Sequence, residues 1–363
     1  MRIVFRCDAS NLIGSGHVMR CLTLADGLRD EAGFDCNFIC RDLPGHLGAL
    51  ISDRGHGIKL LQAPINTAPT KKQDHASWAG VSWREDAADT IATCYLQTDW
   101  FVVDHYAFDQ RWEEATRSLY EKLLVIDDLA DRPHNCNLLL DQNIGRRASD
   151  YQDLLASPCQ SLIGPKYTLL RPEFSHFRRE RPSQLQAKAG LRVLLCMGGM
   201  DNEGQIKTVL AAILMTSQAQ SIIIDIIISN NSPSLPELRR IIQEQPASVA
   251  MHVSPREVAP IMAKANMAIT ACGFMAYELA CLGVPMLLLP LSAIQSVVAS
   301  VLQDHTNSRL CVDWQQMTPG LLAACIEEAL NDLPAKSMQT TSKLFDGQGT
   351  QRVVNAILTM NMA

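Results

Sequence analysis

Ile3-Val4-Phe5-Arg6-Cys7-Asp8-Ala9-Ser10-Asn11-Leu12-Ile13-Gly14-Ser15-Gly16-His17 opens the chain's first structural unit. The apolar run at 3–5 reads as a buried strand that ends in the polar set Asp8, Ala9, Ser10 and Asn11. A glycine loop follows at 14–17, and then Val18, Cys21, Leu22, Ala25 and Leu28 recur at helical spacing. Gly33 is a stop signal, and 34–39 reads as the next strand. Strand, glycine loop, helix, strand is a βαβ unit, and it sets the fold class as α/β.

The theme repeats outward. The runs 100–103, 123–126 and 138–140 each end in aspartate, at Asp104, Asp127-Asp128 and Asp141. Strands that are apolar throughout belong to parallel sheets, and ligands sit at their carboxyl ends. A second series starts at 193–197, with a glycine turn at Gly198-Gly199-Met200-Asp201. It continues through a helix at 206–215, a strand at 222–228 containing Asp225, and a helix at 236–245 with Ser234 as N-cap. A strand at 267–270, a turn at Cys272-Gly273-Phe274, a helix at 277–282 and a strand at 285–289 follow. Val353, Val354, Ile357 and Leu358 mark a last helix.

The expected organisation is two Rossmann-like domains facing a cleft. Residues 1–172 form the first, 173–190 an interdomain segment with solvated charges, 191–345 the second, and 346–363 a C-terminal helix. The 363 residues suit two domains, and 47% hydrophobic with 19% charged residues excludes a mostly disordered chain. A net charge of −6 gives no basic field for nucleic acid. The twelve cysteines include no C-x-x-C pair and read as small buried hydrophobes of a reducing, cytoplasmic setting. No signal peptide or membrane span is expected, since the apolar runs at 222–228 and 279–291 are too short.

Three groups of residues carry possible chemistry. Gly14, Ser15 and Gly16 would place backbone at a ligand, and His17 beside them is a base of suitable pKa or a helix-packing residue. The loop is neither a G-x-G-x-x-G fingerprint nor a Walker A loop, and no G-x-S-x-G elbow occurs. Gly198, Gly199 and Gly273 could aim N–H groups at a diphosphate, with Glu278 a turn into the following helix to take ribose hydroxyls. The strand-end carboxylates Asp8, Asp104, Asp127, Asp128 and Asp141 read mostly as loop and cap chemistry. No metal-ligand spacing appears, so no metal or cofactor is expected, and 62–83 reads as a long polar loop.

Five strings together carry a family resemblance: 6–10 with 14–22, Val103-Asp104-His105-Tyr106, 126–132, Leu140-Asp141-Gln142-Asn143, and 164–172. The chain resembles the UDP-2,4-diacetamido-2,4,6-trideoxy-β-L-altropyranose hydrolases of pseudaminic acid biosynthesis. Those are similar in turn to the GT-B transferase that adds GlcNAc to lipid-linked muramoyl peptide. The resemblance is dense over residues 1–172 and looser afterwards.

It implies a GT-B fold, metal-independent hydrolysis with inversion at the anomeric carbon, and release of UDP. It also implies His17 as general base and Asp8, Gly14, Ser15, Gly16, Arg20, Asp104, Tyr106, Asn143 and Tyr167 on the sugar. The nucleotide falls to Gly198, Gly199, Gly273, Phe274, Glu278 and Gln295. Departures from the family pattern gather on that second set. Met200 replaces a serine, Gly273-Phe274-Met275-Ala276 a glycine-hydroxyl run and Ile294-Gln295 an Asn-Gln, while Asn137 stands where Asp is common in the first half. A GT-B glycosyltransferase and a non-catalytic nucleotide-sugar binder remain alternatives.

Overall fold

The computed structural model describes residues 1–64, 75–94, 97–156, 158–184, 190–198, 204–244, 248–332 and 344–362. The chain divides into two compact units, Met1–Leu169 with Gly349–Ala363, and Leu170–Gln348.

Unit 1 runs β1 (Arg2–Cys7), α1 (Gly16–Ala32), β2 (Asp35–Arg41), α2 (Gly48–Asp53), β3 (Gly57–Leu61), α3 (Trp83–Thr93) and β4 (Thr98–Asp104). It continues with α4 (Gln110–Ala115), β5 (Tyr120–Ile126), β6 (Leu138–Asp141) and β7 (Gln160–Ile163). The seven strands are all parallel, in the order β3-β2-β1-β4-β5-β6-β7. The order reverses beside β1, and such a switch point is where a doubly wound sheet opens a crevice at its carboxyl end. Cys7 of β1 is paired with Asp104 of β4 there, so the loops after these two strands leave side by side. Phe5, Trp100, Val102, Leu124 and Leu138 are buried with α1 on one face, and Phe101, Val103, Trp112 and Leu139 on the other.

Unit 2 runs α5 (Pro172–Gln184), β8 (Arg192–Cys196), α6 (Gln205–Leu214), β9 (Ile223–Ile228), α7 (Leu235–Gln243), β10 (Ser248–Val253) and α8 (Ala259–Ala263). Then come β11 (Met267–Thr270), α9 (Phe274–Leu282), β12 (Met286–Leu288), α10 (Ala293–His305), β13 (Ser308–Leu310) and α11 (Pro319–Asp332). Its parallel order is β10-β9-β8-β11-β12-β13, with Cys196 of β8 against Thr270 of β11 at the switch point.

α12 (Gly349–Met362) closes the chain and belongs to unit 1, not to a separate appendage. Val353, Val354 and Ile357 are fully buried against α1, and the Trp100 indole donates to Asn361 Oδ1 at 2.7 Å. The stretch expected as an interdomain segment also differs. α5 is part of unit 2, and Arg181, expected on a solvated face, is buried and donates to the Gly283 and Ala265 carbonyls at 3.0 and 2.9 Å. A guanidinium with two carbonyl partners can be buried, because both are ends of other elements that need donors. Asp225 inside β9 is likewise paired, with Arg192 at 2.5 Å and His252 at 2.8 Å. Ser234 sits at the N-cap of α7 without a side-chain capping bond. Among the described residues, no helix is long and apolar enough to cross a membrane.

Candidate active site

The loop after β1 is tied down by its own backbone. The Gly14 N–H donates to the Ser10 carbonyl at 2.8 Å, and the Ser10 hydroxyl accepts from Leu12 and Ile13 N–H at 3.2 and 3.0 Å. Gly14 has φ +84°, a conformation that favours glycine, and a Cβ there would meet nothing within 4 Å. Ser15 is the N-cap of α1 but provides no side-chain cap, and the first turn carries no acid. The leading N–H groups of a 17-residue helix are therefore left for another acceptor.

His17 lies one residue into α1 and is 7% exposed. Its Nδ1 is 2.5 Å from Asp104 Oδ1 at the end of β4. Asp104 is fully buried, and Arg20 grips it in a fork, with Nε 2.6 Å from Oδ2 and Nη2 2.6 Å from Oδ1. Burial alone would raise the Asp104 pKa, but the Arg20 charge and His17 outweigh it and hold the carboxyl far below the usual range. The acceptor beside His17 is thus ionised, so in the neutral ring the proton sits on Nδ1 and the lone pair on Nε2.

Arg20 extends the network to Asp128 Oδ2 at 2.7 Å, and the Tyr106 hydroxyl donates to the same oxygen. Asn143 Nδ2 donates to Asp128 Oδ1 at 2.7 Å and to Asp141 Oδ1 at 2.9 Å. Burial and then the neighbouring Asp128 charge push the Tyr106 hydroxyl well up and raise Asp141 to about 7. The Tyr106 ring stands edge-on to His17 with centroids 4.6 Å apart, and Trp78 stacks on Tyr106 at 5.3 Å.

The structure therefore joins His17, Arg20, Asp104, Tyr106 and Asn143 through side-chain contacts. Asp128, which the sequence pattern assigns to loop and cap chemistry, is the further member of this network. Its neighbour Asp127 fits the cap reading, accepting from Ala130 N–H and Tyr151 and pairing with Arg132, and adjacent identical residues gave no sign that they part. Two of the residues expected on the sugar sit inside side-chain networks. Asp8 is fully buried and accepts from Arg6 at 2.6 and 3.0 Å and from the Arg41 N–H at 2.6 Å, with His105 at 3.2 Å. Asp104, also fully buried, is held by His17 and Arg20. Tyr167 lies in a short 3-10 turn, half-buried against the core that α1 and α12 share.

In unit 2, Gly198 follows β8 with φ +98° and Gly273 caps α9, and a Cβ at either would meet nothing within 4 Å. α9 starts with no side-chain cap and no acid in its first turn. Gly199, Met200 and Asp201 lie outside the described residues, as do 65–74 of the loop expected at 62–83. Glu278 is 6% exposed, with Arg171 Nη2 at 3.5 Å. Burial raises its carboxyl to about 7, against the opposing pull of Arg171. Phe274 and Met275 are half-buried and Ile294 is 53% exposed. Gln295 spends its Oε1 on the Leu291 N–H at 2.8 Å, holding its own turn. Among the described residues, no three His, Cys, Asp or Glu side chains gather as a metal site.

No protein-family model matches the chain. Solved structures of similar shape include the MurG of Acinetobacter baumannii, with a TM-score of 0.60, 16% identity and 99% of each chain covered. The MnaA of S. aureus, solved with UDP, has a TM-score of 0.62 at 12% identity, over 100% of this chain and 97% of that one. The fold is GT-B. Among curated proteins, the UDP-2,4-diacetamido-2,4,6-trideoxy-beta-L-altropyranose hydrolase of Campylobacter jejuni is 25% identical over 280 residues, 77% of this chain and 87% of that enzyme. The spore coat polysaccharide biosynthesis protein SpsG of Bacillus subtilis is 29% identical over 142 residues, 39% of this chain and 41% of that protein. The GT-B chain is thus similar to that hydrolase over most of its length.

Proposed function

We propose that the protein is an inverting, metal-independent hydrolase of a UDP-linked diacetamido-trideoxy sugar, of the 6-deoxy-altrose type, in pseudaminic acid biosynthesis. The observation that carries this reading is His17 with Nδ1 held by an ionised, buried Asp104. Nε2 takes a proton from water, the water oxygen bonds to the anomeric carbon, and the carbon–oxygen bond to the diphosphate breaks. UDP leaves with the electron pair. A diphosphate is already a good leaving group, so one base suffices where glycosidases use two carboxylates. Asp104 and Arg20 are positioning residues, while Tyr106, Asn143 and the Gly14–Gly16 backbone face the sugar.

On this reading the nucleotide is held by unit 2. N–H groups at Gly198, Gly199 and Gly273 and at the start of α9 take phosphate oxygens, and Glu278 takes ribose hydroxyls. Phe274 and Gln295 complete that set. Backbone donors are indifferent to the lost hydroxyl side chains, which supports UDP despite Met200 and Met275. The similarity to the Campylobacter hydrolase supports both substrate and reaction.

The test is turnover of UDP-linked diacetamido sugars in heavy-oxygen water. The expected product carries the label on the anomeric hydroxyl, and UDP carries none. Label in the UDP, or no turnover, overturns the reading. Transfer to an acceptor, the alternative on this fold, would give a glycosylated product without label.

A further inference from the structure

Nine of the twelve cysteines are buried, six of them on strands and helices, and burial makes such thiols inert. Burial raises Cys21 to about 11 and Cys36, Cys196, Cys272 and Cys281 to about 12. One pair in unit 2 differs. Cys325, in the middle of α11, is half-buried and its Sγ lies 3.4 Å from Cys311 Sγ, just after β13. Two sulfurs at that distance are in van der Waals contact, and a modest shift brings them to bonding range.

We propose that Cys325 and Cys311 form a peroxide-oxidisable dithiol that closes into a disulfide across α11 and the end of β13. The Cys325 thiolate attacks a hydroperoxide oxygen, the sulfur–oxygen bond forms, the O–O bond breaks and hydroxide leaves. Cys311 sulfur then attacks Cys325 sulfur, the S–S bond forms and a second hydroxide leaves. The two thiol protons convert both hydroxides to water, so two thiols and one hydrogen peroxide give one disulfide and two waters.

The surroundings divide the roles. The contact with Cys311 holds the Cys325 thiol down at about 7 against burial, Arg309 adds to this, and Glu328 opposes it. The same contact pushes Cys311 well up, so Cys325 is the attacking thiol and Cys311 the resolving one. Cys311 is itself fixed, its N–H on the Leu288 carbonyl at 3.0 Å and its Sγ 3.9 Å from Met317 Sδ. Unit 1 holds a comparison pair, Cys136 and Cys159, with sulfurs 3.6 Å apart. There Cys159 is also held down by its partner, against burial and the Glu113 charge. It is the slower pair.

The experiment treats the full, reduced chain with a small excess of hydrogen peroxide, alkylates at intervals and maps peptides by mass. The expected first product is a linked 311–325 peptide, lighter by about 2 Da and restored by dithiothreitol, formed at least about tenfold faster than any change at Cys196 or Cys281. Cys311→Ser should divert Cys325 to sulfenic and sulfinic acid, and Cys325→Ser should leave Cys311 alkylatable. The proposal is overturned if wild type gives no 311–325 link, or if Cys136 and Cys159 link first. The wild-type result decides the matter even if a variant folds poorly, and it does not depend on the sugar reaction.

Discussion

The carboxyl ends of the two sheets are built from opposite materials. In unit 1 the end is a lattice of side chains, in which His17, Asp104, Arg20 and Asp128 each hold the next and Tyr106 and Asn143 both donate to Asp128. In unit 2 the same place in the sheet offers open glycine turns, apolar Phe274 and Met275, and one buried acid. Side chains that lock one another fix a proton and a direction, which is what activating water needs. Backbone N–H groups fix only a place for negative charge, and they do so almost regardless of the neighbouring side chains. Chemistry that depends on one atom is fragile to substitution, whereas anion binding by turns is robust.

The comparison breaks most severely at His17. His17→Asn should lower turnover by roughly 10²–10⁴ while UDP binding stays near the wild-type value. Near-normal turnover would remove His17 as the base, and calorimetry with UDP checks the second half. Next in size is a change to the frame of unit 1 alone. Ile357→Ala, fully buried on α12, should cost about 2–5 kcal/mol of that unit's stability, read as a lower urea midpoint. An unchanged midpoint would show that α12 does not hold the unit together.

Unit 2 answers to a smaller perturbation. Glu278→Ala should weaken UDP binding by about 1.5–3 kcal/mol, the range for hydrogen bonds to a charged group. Its carboxyl sits near 7, and only the ionised form accepts two hydroxyls. Wild-type affinity should therefore fall as pH drops through about 7, more steeply than in Glu278→Gln, since the ligand's own titration is common to both. Parallel curves would remove Glu278 from the ribose. The smallest effect is expected from EDTA, which should leave turnover unchanged. Loss of activity restored by magnesium would recast Asp104, Asp127 or Asp128 as ligands.

Central strands were readable in the sequence because they are buried on both faces. β1, β4, β5, β6, β8 and β11 are continuous apolar runs, with Ile3, Val4 and Phe5 as the pattern. The edge strands β3, β10 and β13 escaped notice, because half-exposed residues such as Lys59 and His252 interrupt any apolar run. The site shows the same division. Gly14–His17 is local and was visible in a dozen residues. Asp104 reaches His17 across 87 positions, and no periodicity encodes that meeting. The parallel register of β1 with β4 creates it. Asp128 and Asp127 were indistinguishable as letters and differ only in which way the loop turns each one.

The return of α12 to unit 1 orders events during synthesis. Unit 2 is continuous from Leu170 to Gln348, so all of it is made before the last wall of unit 1 exists. On the ribosome, α1 must wait with its apolar face uncovered until Val353, Val354 and Ile357 emerge. Unit 1 therefore starts before unit 2 and is finished after it. The helix that carries His17 gains its full packing only once α12 has emerged, so a nascent chain stalled before Gly349 would hold a complete unit 2 and an open unit 1.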